Sequence, residues 1–199
     1  MMRSELASVF DIVAMAASAG GVSALTYVLG ELPVDFGAIV VIVQHVDPGR
    51  RSLLPRVLAR HARLPVMNAE EGMTMAPDHV YLAPPNHHLV IDRDGGLTLT
   101  HTELVNFVRP SADLLFESVA VTYGDRAIAV VLTGAGRDGA AGASTIKRRG
   151  GIVIAQDEAS SEFFGMPSAA IATGAVDFVL PLRQIAPKLV GLVSREVSE

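Results

Sequence analysis

Residues 11–32 read DIVAMAASAGGVSALTYVLGEL, and this stretch decides the fold. Residues 11–15 form a short apolar run of strand length, and residues 22–32 carry apolar side chains at helical spacing. Between the two lies Ala16-Ala17-Ser18-Ala19-Gly20-Gly21, a turn built from small residues. A buried strand that runs through such a turn into a helix is typical of an open α/β sheet.

The same alternation of elements continues along the chain. Apolar runs of strand length recur, and amphipathic segments stand between them. Strands are predicted at residues 38–43, 127–132 and 152–155, and helices at 53–60, about 138–149 and 182–197. Continuous apolar strands flanked by helices predict a doubly wound α/β fold, with a mostly parallel sheet covered by helices on both faces.

The middle of the chain has a different pattern. Short apolar segments at residues 80–82, 89–91 and 97–99 are separated by Pro84-Pro85-Asn86 and Asp94-Gly95-Gly96. Both separators have turn chemistry, so we predict a small antiparallel hairpin excursion here. No internal repeat or linker interrupts the chain, and we expect a single domain over residues 1–199 with its core at about 11–197.

Composition narrows the class of protein. Half of the 199 residues are hydrophobic and 19% are charged, so a sizeable core is expected. The formal net charge is −5, which argues against a nucleic-acid binder. The chain has no cysteine, which excludes disulfides and thiolate metal sites and indicates a reducing compartment. No secretory signal or run of membrane-spanning length is present, so we expect a cytoplasmic protein without membrane insertion.

Three polar side chains follow the ends of predicted strands. Ser18 follows the first strand, His45 the second, and Asp138 the strand at 127–132. The carboxyl ends of parallel strands share one edge of a sheet, so these side chains are expected to converge there. They have the residue types of a catalytic triad, in which Ser18 is the nucleophile, His45 the base and Asp138 the acid that orients it.

Each of these residues also has a structural interpretation. Ser18 suits a helix cap, the glycine-rich turn suits a phosphate cradle, His45 suits a rim position and Asp138 suits an N-cap. A nucleotide-binding module needs an acidic residue after the second strand to bind the ribose, but Gln44 and His45 occupy that position. The remaining histidines are weaker candidates without metal-ligand spacing, namely His61, His79, His87, His88 and His101.

Several ordered motifs together resemble the catalytic domain of the chemotaxis protein-glutamate methylesterases (CheB). The resemblance covers about residues 11–182. The motifs that carry it are Ala17-Ser18-Ala19-Gly20-Gly21, Gln44-His45, Tyr81-Leu82-Ala83-Pro84, Arg109-Pro110-Ser111-Ala112-Asp113, Leu132-Thr133-Gly134 with Gly136 and Asp138-Gly139, and Phe164-Gly165-Met166-Pro167.

The resemblance implies an activity for the three residues. It implies that Ser18, His45 and Asp138 hydrolyse γ-glutamyl methyl esters on chemoreceptor helices, releasing methanol, and also deamidate receptor glutamines. It implies a methylated chemoreceptor as partner and no metal or organic cofactor. Oxyanion stabilisation is expected from backbone N–H groups near Ala19 and Ala135.

The chain departs from the family pattern in three ways. The stretch before Asp11 leaves no room for a receiver domain, so a stand-alone form with an open regulatory input is expected. Ala19 stands where the family often has Thr, and Ala135 where it often has Met. These two changes keep a non-catalytic receptor-docking homologue open as an alternative.

Arginines near the predicted site suggest how an acidic receptor helix is drawn in. We expect them to form a local basic rim that steers the substrate, with a structural role in caps or ion pairs as the alternative. The residues concerned are Arg50, Arg51, Arg109 and Arg137.

Overall fold

The computed structural model describes residues 10–46 and 52–194, and its strands form two sheets. The strands are β1 (Ile12–Ala17), β2 (Ile39–Gln44), β3 (Val66–Asn68), β4 (Val80–Leu82), β5 (His88–Ile91), β6 (Leu97–Thr100), β7 (Ala127–Val131), β8 (Ile152–Gln156) and β9 (Phe178–Leu180). Seven of them form a sheet in the order β3-β4-β2-β1-β7-β8-β9, and all of its neighbouring strands are parallel. β5 and β6 form a separate antiparallel pair.

Helices cover both faces of the large sheet. They are α1 (Gly21–Glu31), α2 (Leu54–Leu58), α3 (Ala112–Tyr123), α4 (Ala140–Arg148), α5 (Gly165–Ala172) and α6 (Leu182–Val193). The predicted doubly wound, mostly parallel α/β fold with a small antiparallel excursion is confirmed. None of the described helices has the length and apolar character needed to cross a membrane.

The central strand β1 shows why the strands of the large sheet appear in the sequence as continuous apolar runs. Val13 and Met15 belong to a core with α1 and α6, whereas Ala14 and Ala16 belong to a second core with α3 and α5. All six residues of β1 are buried, because successive side chains enter opposite cores. A strand covered on both faces needs apolar residues at every position.

The structure corrects the prediction for residues 80–82. This segment was expected in the antiparallel excursion, but β4 lies in the large sheet between β3 and β2, with Val40 opposite Val80. Val80, Tyr81 and Leu82 are all buried, as a parallel strand inside the sheet requires. Three apolar residues are too few for periodicity to tell the two environments apart. The sequence prediction also omitted β3, α5 and β9, and it gave no bounds for α3.

The strand order places a topological switch at β1. The strands that follow β1 in the chain, β2, β3 and β4, lie on one side of it, and β7, β8 and β9 lie on the other side. Crevices at the carboxyl ends of the strands beside such a switch are where open α/β sheets hold their sites. The ends of β1, β2 and β7 are therefore the place to look for chemistry.

Candidate active site

Ser18 is the first residue after β1, at this switch. Its backbone N–H donates to Thr133 O at 3.0 Å, and the N–H of His45 donates to Ala17 O at 3.1 Å. The two bonds extend the ladders on both sides of β1, so the chain after β2 and the chain after β7 both lie against the serine. Helix α1 has Gly20 as its N-cap and no side-chain cap, so Ser18 does not cap it.

His45 and Asp138 meet at this edge of the sheet. Nε2 of His45 lies 2.9 Å from Oδ2 of Asp138, and the two side chains are 13% and 3% exposed. Since the proton on Nε2 is donated to the carboxylate, Nδ1 is left with the free lone pair. Among the described residues no hydrogen bond joins Ser18 Oγ to His45, and such bonds are often long until substrate binds.

Asp138 caps a helix, but a different one from that predicted. Helix α4 begins at Ala140 with Gly139 as its N-cap, so Asp138 is not the cap of the helix that follows it. Its carboxylate closes the start of α3 instead. Ala112 N–H donates to Oδ2 at 2.6 Å, Asp113 N–H to Oδ1 at 3.3 Å, and the Ser111 hydroxyl to Oδ1 at 2.8 Å. A helix N-terminus favours a negative charge at this point.

These donors decide the charge of Asp138. Burial by itself raises the pKa of the carboxyl, but hydrogen bonds from His45, Ala112 and Ser111, together with the charge of His45, outweigh burial. The pKa of Asp138 therefore lies below its ordinary value of 3.8. An ionised carboxylate at this position accepts the Nε2–H of His45 and so fixes the tautomer and orientation of the ring.

A second carboxylate, Asp113, is buried beside the first. The amide Nδ2 of Asn106 donates to Asp113 Oδ2 at 2.8 Å and to Asp138 Oδ1 at 3.3 Å, and Gly142 N–H donates to Asp113 Oδ1 at 2.8 Å. Burial is the main cause that raises the pKa of Asp113, and the charge of Asp138 adds to it. The two neighbouring carboxyls thus have pKa values shifted in opposite directions, with Asp138 the stronger acid.

Gln44 joins the segments that carry the serine and the histidine. Its Nε2 donates to Ser18 O at 2.8 Å and to His45 O at 2.9 Å. The side chain is 4% exposed, and its Oε1 has no hydrogen-bond partner among the described residues. A Cβ added to Gly21 would lie 2.1 Å from that oxygen, so the glycine gives Gln44 the space it occupies.

The loop after β7 packs directly against Ser18 at Gly134. A Cβ on Gly134 would lie 2.9 Å from Ser18 Cβ and 2.3 Å from Met166 Sδ. Two backbone bonds fix this loop, from Gly134 N–H to Phe163 O at 2.9 Å and from Met166 N–H to Gly134 O at 2.8 Å. The glycine is required here by close approach, and it sets the position of the chain that leads to Ala135.

The residues predicted to bind an oxyanion lie on either side of Ser18 and Gly134. Ala19 is half-buried, with its carbonyl accepting from Thr133 Oγ1 at 3.0 Å, and Ala135 is exposed. Neither backbone N–H donates to another described residue. Both donors remain available, and their role in binding an oxyanion stays a prediction.

A cavity of about 180 Å³ opens beside His45. Its lining is mostly apolar, with Phe107 95% exposed at its rim. A larger cavity of about 400 Å³ lies at Tyr27 and Leu182 and includes none of the three predicted triad residues. In the described ranges no group of three or more His, Cys, Asp or Glu side chains is arranged to hold a metal ion.

The predicted basic rim is described only in part. Arg50 and Arg51 lie outside the described residues. The guanidinium of Arg109 donates to Asn86 Oδ1 and to Thr102 O, which ties down the loop beside the cavity. Arg137 is exposed. Arg109 thus has the structural role that was the alternative to steering.

Sequence reasoning assigned no role to several polar residues around Asp138 and Ser18. Gln44 and Ser111 stand inside quoted motifs, and a polar residue at the end of an apolar strand or start of a helix was an available signal. Asn106 carried no signal, since its two acceptors, Asp113 in α3 and Asp138 in the loop before α4, become neighbours only in the folded structure. The missed residues are Gln44, His88, Asn106, Ser111 and Asp113.

Comparisons with protein families and with known proteins show what this chain is similar to. A family model described as CheB methylesterase matches residues 13–189. The chain is 44% identical over 188 residues to a Burkholderia lata protein named protein-glutamate methylesterase/protein-glutamine glutaminase 2, covering 94% of this chain and 56% of the relative. It is 39% identical to a Leptospira interrogans protein named putative protein-glutamate methylesterase/protein-glutamine glutaminase, covering 92% and 95%.

A solved structure is similar over nearly its whole length. It is the Thermotoga maritima CheB methylesterase catalytic domain, with a TM-score of 0.89 and 38% identity, covering 92% of this chain and 99% of that one. The chain spans about half the length of several curated relatives that it matches. The family match, the relatives and the shared fold lead to one conclusion: this chain belongs to the CheB methylesterase family.

Proposed function

We propose that this chain is a serine hydrolase that removes methyl groups from glutamate γ-methyl esters on chemoreceptors. Ser18 is the nucleophile, His45 the general base, and Asp138 the acid that orients the base and stabilises the imidazolium formed when the base takes a proton. The observation that carries the proposal is the 2.9 Å bond from His45 Nε2 to Asp138 Oδ2, at the sheet edge where Ser18 stands. Family membership and the names of the relatives support the substrate class.

In the first step Ser18 Oγ attacks the ester carbonyl carbon. His45 Nδ1 takes the hydroxyl proton, and the imidazolium that forms is stabilised by the ionised Asp138. The carbonyl oxygen becomes an oxyanion in the tetrahedral intermediate. The N–H groups of Ala19 and Ala135 are the proposed donors to that oxygen, since neither is used elsewhere in the described structure.

In the second step the intermediate collapses and the C–O bond to methanol breaks. His45 returns the proton to the leaving oxygen, which leaves an acyl-enzyme ester on Ser18. A water molecule then attacks the acyl carbon with His45 again as base. As the acyl bond to Ser18 breaks, His45 passes the proton taken from water to Ser18 Oγ, and the glutamic acid formed releases its own proton to solvent. One ester and one water thus give methanol, the glutamate carboxylate and one proton, and Ser18 is regenerated.

Deamidation of glutamine is a second candidate activity. The names of the curated relatives include protein-glutamine glutaminase. The same nucleophile and base serve an amide, with ammonia in place of methanol as the group that His45 protonates. The acyl-enzyme and its hydrolysis are then identical for both substrates.

The proposed partner is a methylated chemoreceptor helix. The cytoplasmic location predicted from the sequence belongs to the same proposal, because it matches a receptor segment that faces a reducing compartment. Both are independent of the triad geometry and are tested separately from it, by co-purification with a receptor fragment and by cell fractionation.

Turnover on a receptor tests the proposal. The purified chain is incubated with a receptor cytoplasmic fragment that carries glutamate methyl esters, and methanol is measured; ammonia is measured on a fragment that carries glutamines. We expect catalytic methanol release from the wild type and from Asp94→Asn, a control in an exposed hairpin turn. Stable receptor binding without turnover would favour the docking homologue instead, and nucleotide binding without turnover would favour the nucleotide module.

A further inference from the structure

His88 is fully buried and both of its ring nitrogens are engaged. Its Nδ1 accepts a hydrogen bond from Ser111 N–H at 3.1 Å, and its Nε2 lies 2.9 Å from the backbone carbonyl of Glu103. A backbone amide can only donate and a carbonyl can only accept, so the proton sits on Nε2. The mechanism above makes no use of this imidazole.

The residue that His88 holds is the N-cap of α3. Ser111 is itself fully buried and has an extended backbone, and its hydroxyl makes no cap bond to α3. The hydroxyl donates instead to Asp138 Oδ1 at 2.8 Å. The next two N–H groups, from Ala112 and Asp113, donate to the same carboxylate. Three of the donors around Asp138 therefore depend on where the chain enters α3, and His88 fixes that entry.

The other nitrogen of His88 holds the segment that brings a fourth donor. Glu103 lies in the loop between β6 and α3, which also contains Asn106, and Asn106 Nδ2 donates to Asp138 Oδ1 at 3.3 Å. Asn106 has a positive φ of 50°, a conformation that non-glycine residues rarely adopt without support. His88 thus ties together both protein segments that surround Asp138, apart from His45 itself.

We propose that His88 is a positioning residue for the catalytic base. It fixes the start of α3 through Ser111, the start of α3 fixes the carboxylate of Asp138, and the carboxylate fixes the ring of His45. The kinetic consequence rests on the proposed function, whereas the structural link does not. Misplacing a catalytic group by about 1 Å costs on the order of 100-fold in rate, so the link is expected to act on kcat.

Two substitutions of His88 test the roles of its two ring nitrogens separately. The Oδ1 atom of His88→Asn matches the place of Nδ1 and still accepts from Ser111 N–H, whereas His88→Gln puts a donor near Nε2 and loses that acceptor. We expect His88→Gln to lower kcat on a methyl ester at least about 10-fold with KM within about 2-fold, and His88→Asn to keep kcat within about 3-fold of wild type. His87→Asn is the matched control, because His87 Nδ1 lies 3.1 Å from Pro85 O and its ring lies edge-on to His101, and no hydrogen bond recorded among the described residues joins it to Ser111 or Asp138.

Each variant is also examined by thermal unfolding and by NMR of the His45 Nε2–H proton. A merely structural role predicts that kcat follows stability, with the Asn and Gln variants equally affected. That result, or an unchanged kcat in both, overturns the proposal. If a His88 variant does not fold, Ser111→Ala is tested instead. We expect its kcat to fall about 10-fold at unchanged KM, and an unchanged kcat overturns the proposal.

The NMR signal separates this proposal from the proposed function. It reports the bond from His45 to Asp138 without any turnover. Loss of the signal in His88→Gln but not in His88→Asn supports the positioning role even where the wild type shows no esterase activity. In the wild type, ¹⁵N NMR is expected to show His88 unprotonated at Nδ1, and a proton there would contradict the link to Ser111.

Discussion

The carboxylate of Asp138 accepts the backbone N–H of Ala112 at 2.6 Å, so a side chain from the loop before α4 closes the N-terminus of α3. A second bond joins the same two helices, because Gly142 N–H in α4 donates to the carboxylate of Asp113 in the first turn of α3. The position of the base is therefore coupled to the packing of two helices that are not adjacent to His45 along the chain.

Asp138→Asn is expected to damage both activity and folding. All of the groups around this carboxylate are donors, and an amide NH₂ in their midst leaves donors facing one another. The imidazole of His45 also loses the acceptor that fixes its tautomer. We expect kcat to fall roughly 10³- to 10⁴-fold, by analogy with the same change in a serine protease. Steady-state methanol release measures it, and kinetics equal to wild type would reduce Asp138 to a helix cap.

The low pKa of Asp138 predicts a pH dependence of stability. A carboxyl whose pKa is lower in the folded state stabilises the fold above its unfolded pKa, near 3.8, and loses that contribution as the pH falls through the folded value. Asp113 has the opposite sign, since its raised pKa means that protonation relieves a cost. The two carboxyls have opposite effects on how the free energy of unfolding changes with pH. The contribution of Asp138 therefore has to be measured as the difference in that free energy between wild type and a variant that lacks the carboxyl.

That measurement is urea unfolding of wild type and Asp138→Asn between pH 7 and pH 3. The free-energy difference between the two proteins is expected to hold steady down to about pH 5 and to shrink as the pH falls below about 4. A difference that grows as the pH falls below about 5 would mean that folding raises the pKa of Asp138 instead of lowering it.

Gly134→Ala tests the close approach of the β7 loop to the nucleophile. The new methyl group would lie 2.9 Å from Ser18 Cβ and 2.3 Å from Met166 Sδ, so one of them must move. We expect a loss of stability of about 1–3 kcal/mol and at least a 10-fold lower kcat. Gly191→Ala in α6 is the control, since nothing lies within 4 Å of its added methyl group and alanine favours a helix. Identical kinetics for both variants would show that Ser18 is not held by this contact.

Gln44→Met tests whether the strand-end glutamine holds the serine and histidine segments together. Methionine keeps the approximate shape but removes both bonds, to Ser18 O and His45 O. We expect kcat to fall about 10-fold with little change in KM, and Gln44→Glu to be worse because it sets acceptors against carbonyl oxygens. Gln184→Met, at an exposed position in α6, should behave as wild type. Unimpaired turnover in Gln44→Glu would rule out the proposed tie.

The sequence was enough to predict four of the seven strands of the large sheet, β1, β2, β7 and β8, and the reason is physical. Strands buried on both faces leave continuous apolar runs, as in β1 and β2, and polar residues directly after such runs must lie at the sheet edge. Ser18, His45 and Asp138 were recognisable on this basis, and the structure joins His45 to Asp138. The catalytic role of all three stays a prediction.

What could not be predicted depends on contacts between distant segments. The structural alternative for Asp138 was a cap on α4, its neighbour in sequence, because local capping is the only cap that a sequence displays. The cap on α3 forms only when α3 and α4 pack together. His88 looked like an ordinary hairpin histidine for the same reason, since its partners Ser111 and Glu103 lie beyond the hairpin. The short strand β4 was misassigned because three apolar residues fit either sheet.

Methanol release from a methylated receptor fragment by Ser18→Ala, at the same enzyme concentration as wild type, tests the central claim most directly. Alanine fits the turn and removes only the hydroxyl, so the fold should be unchanged by circular dichroism. We expect turnover to fall by several orders of magnitude, on the order of the 10⁶ seen for a protease triad, with an acyl adduct on Ser18 trapped only in the wild type. A Ser18→Ala protein that releases methanol at a rate near that of wild type would contradict the proposed mechanism.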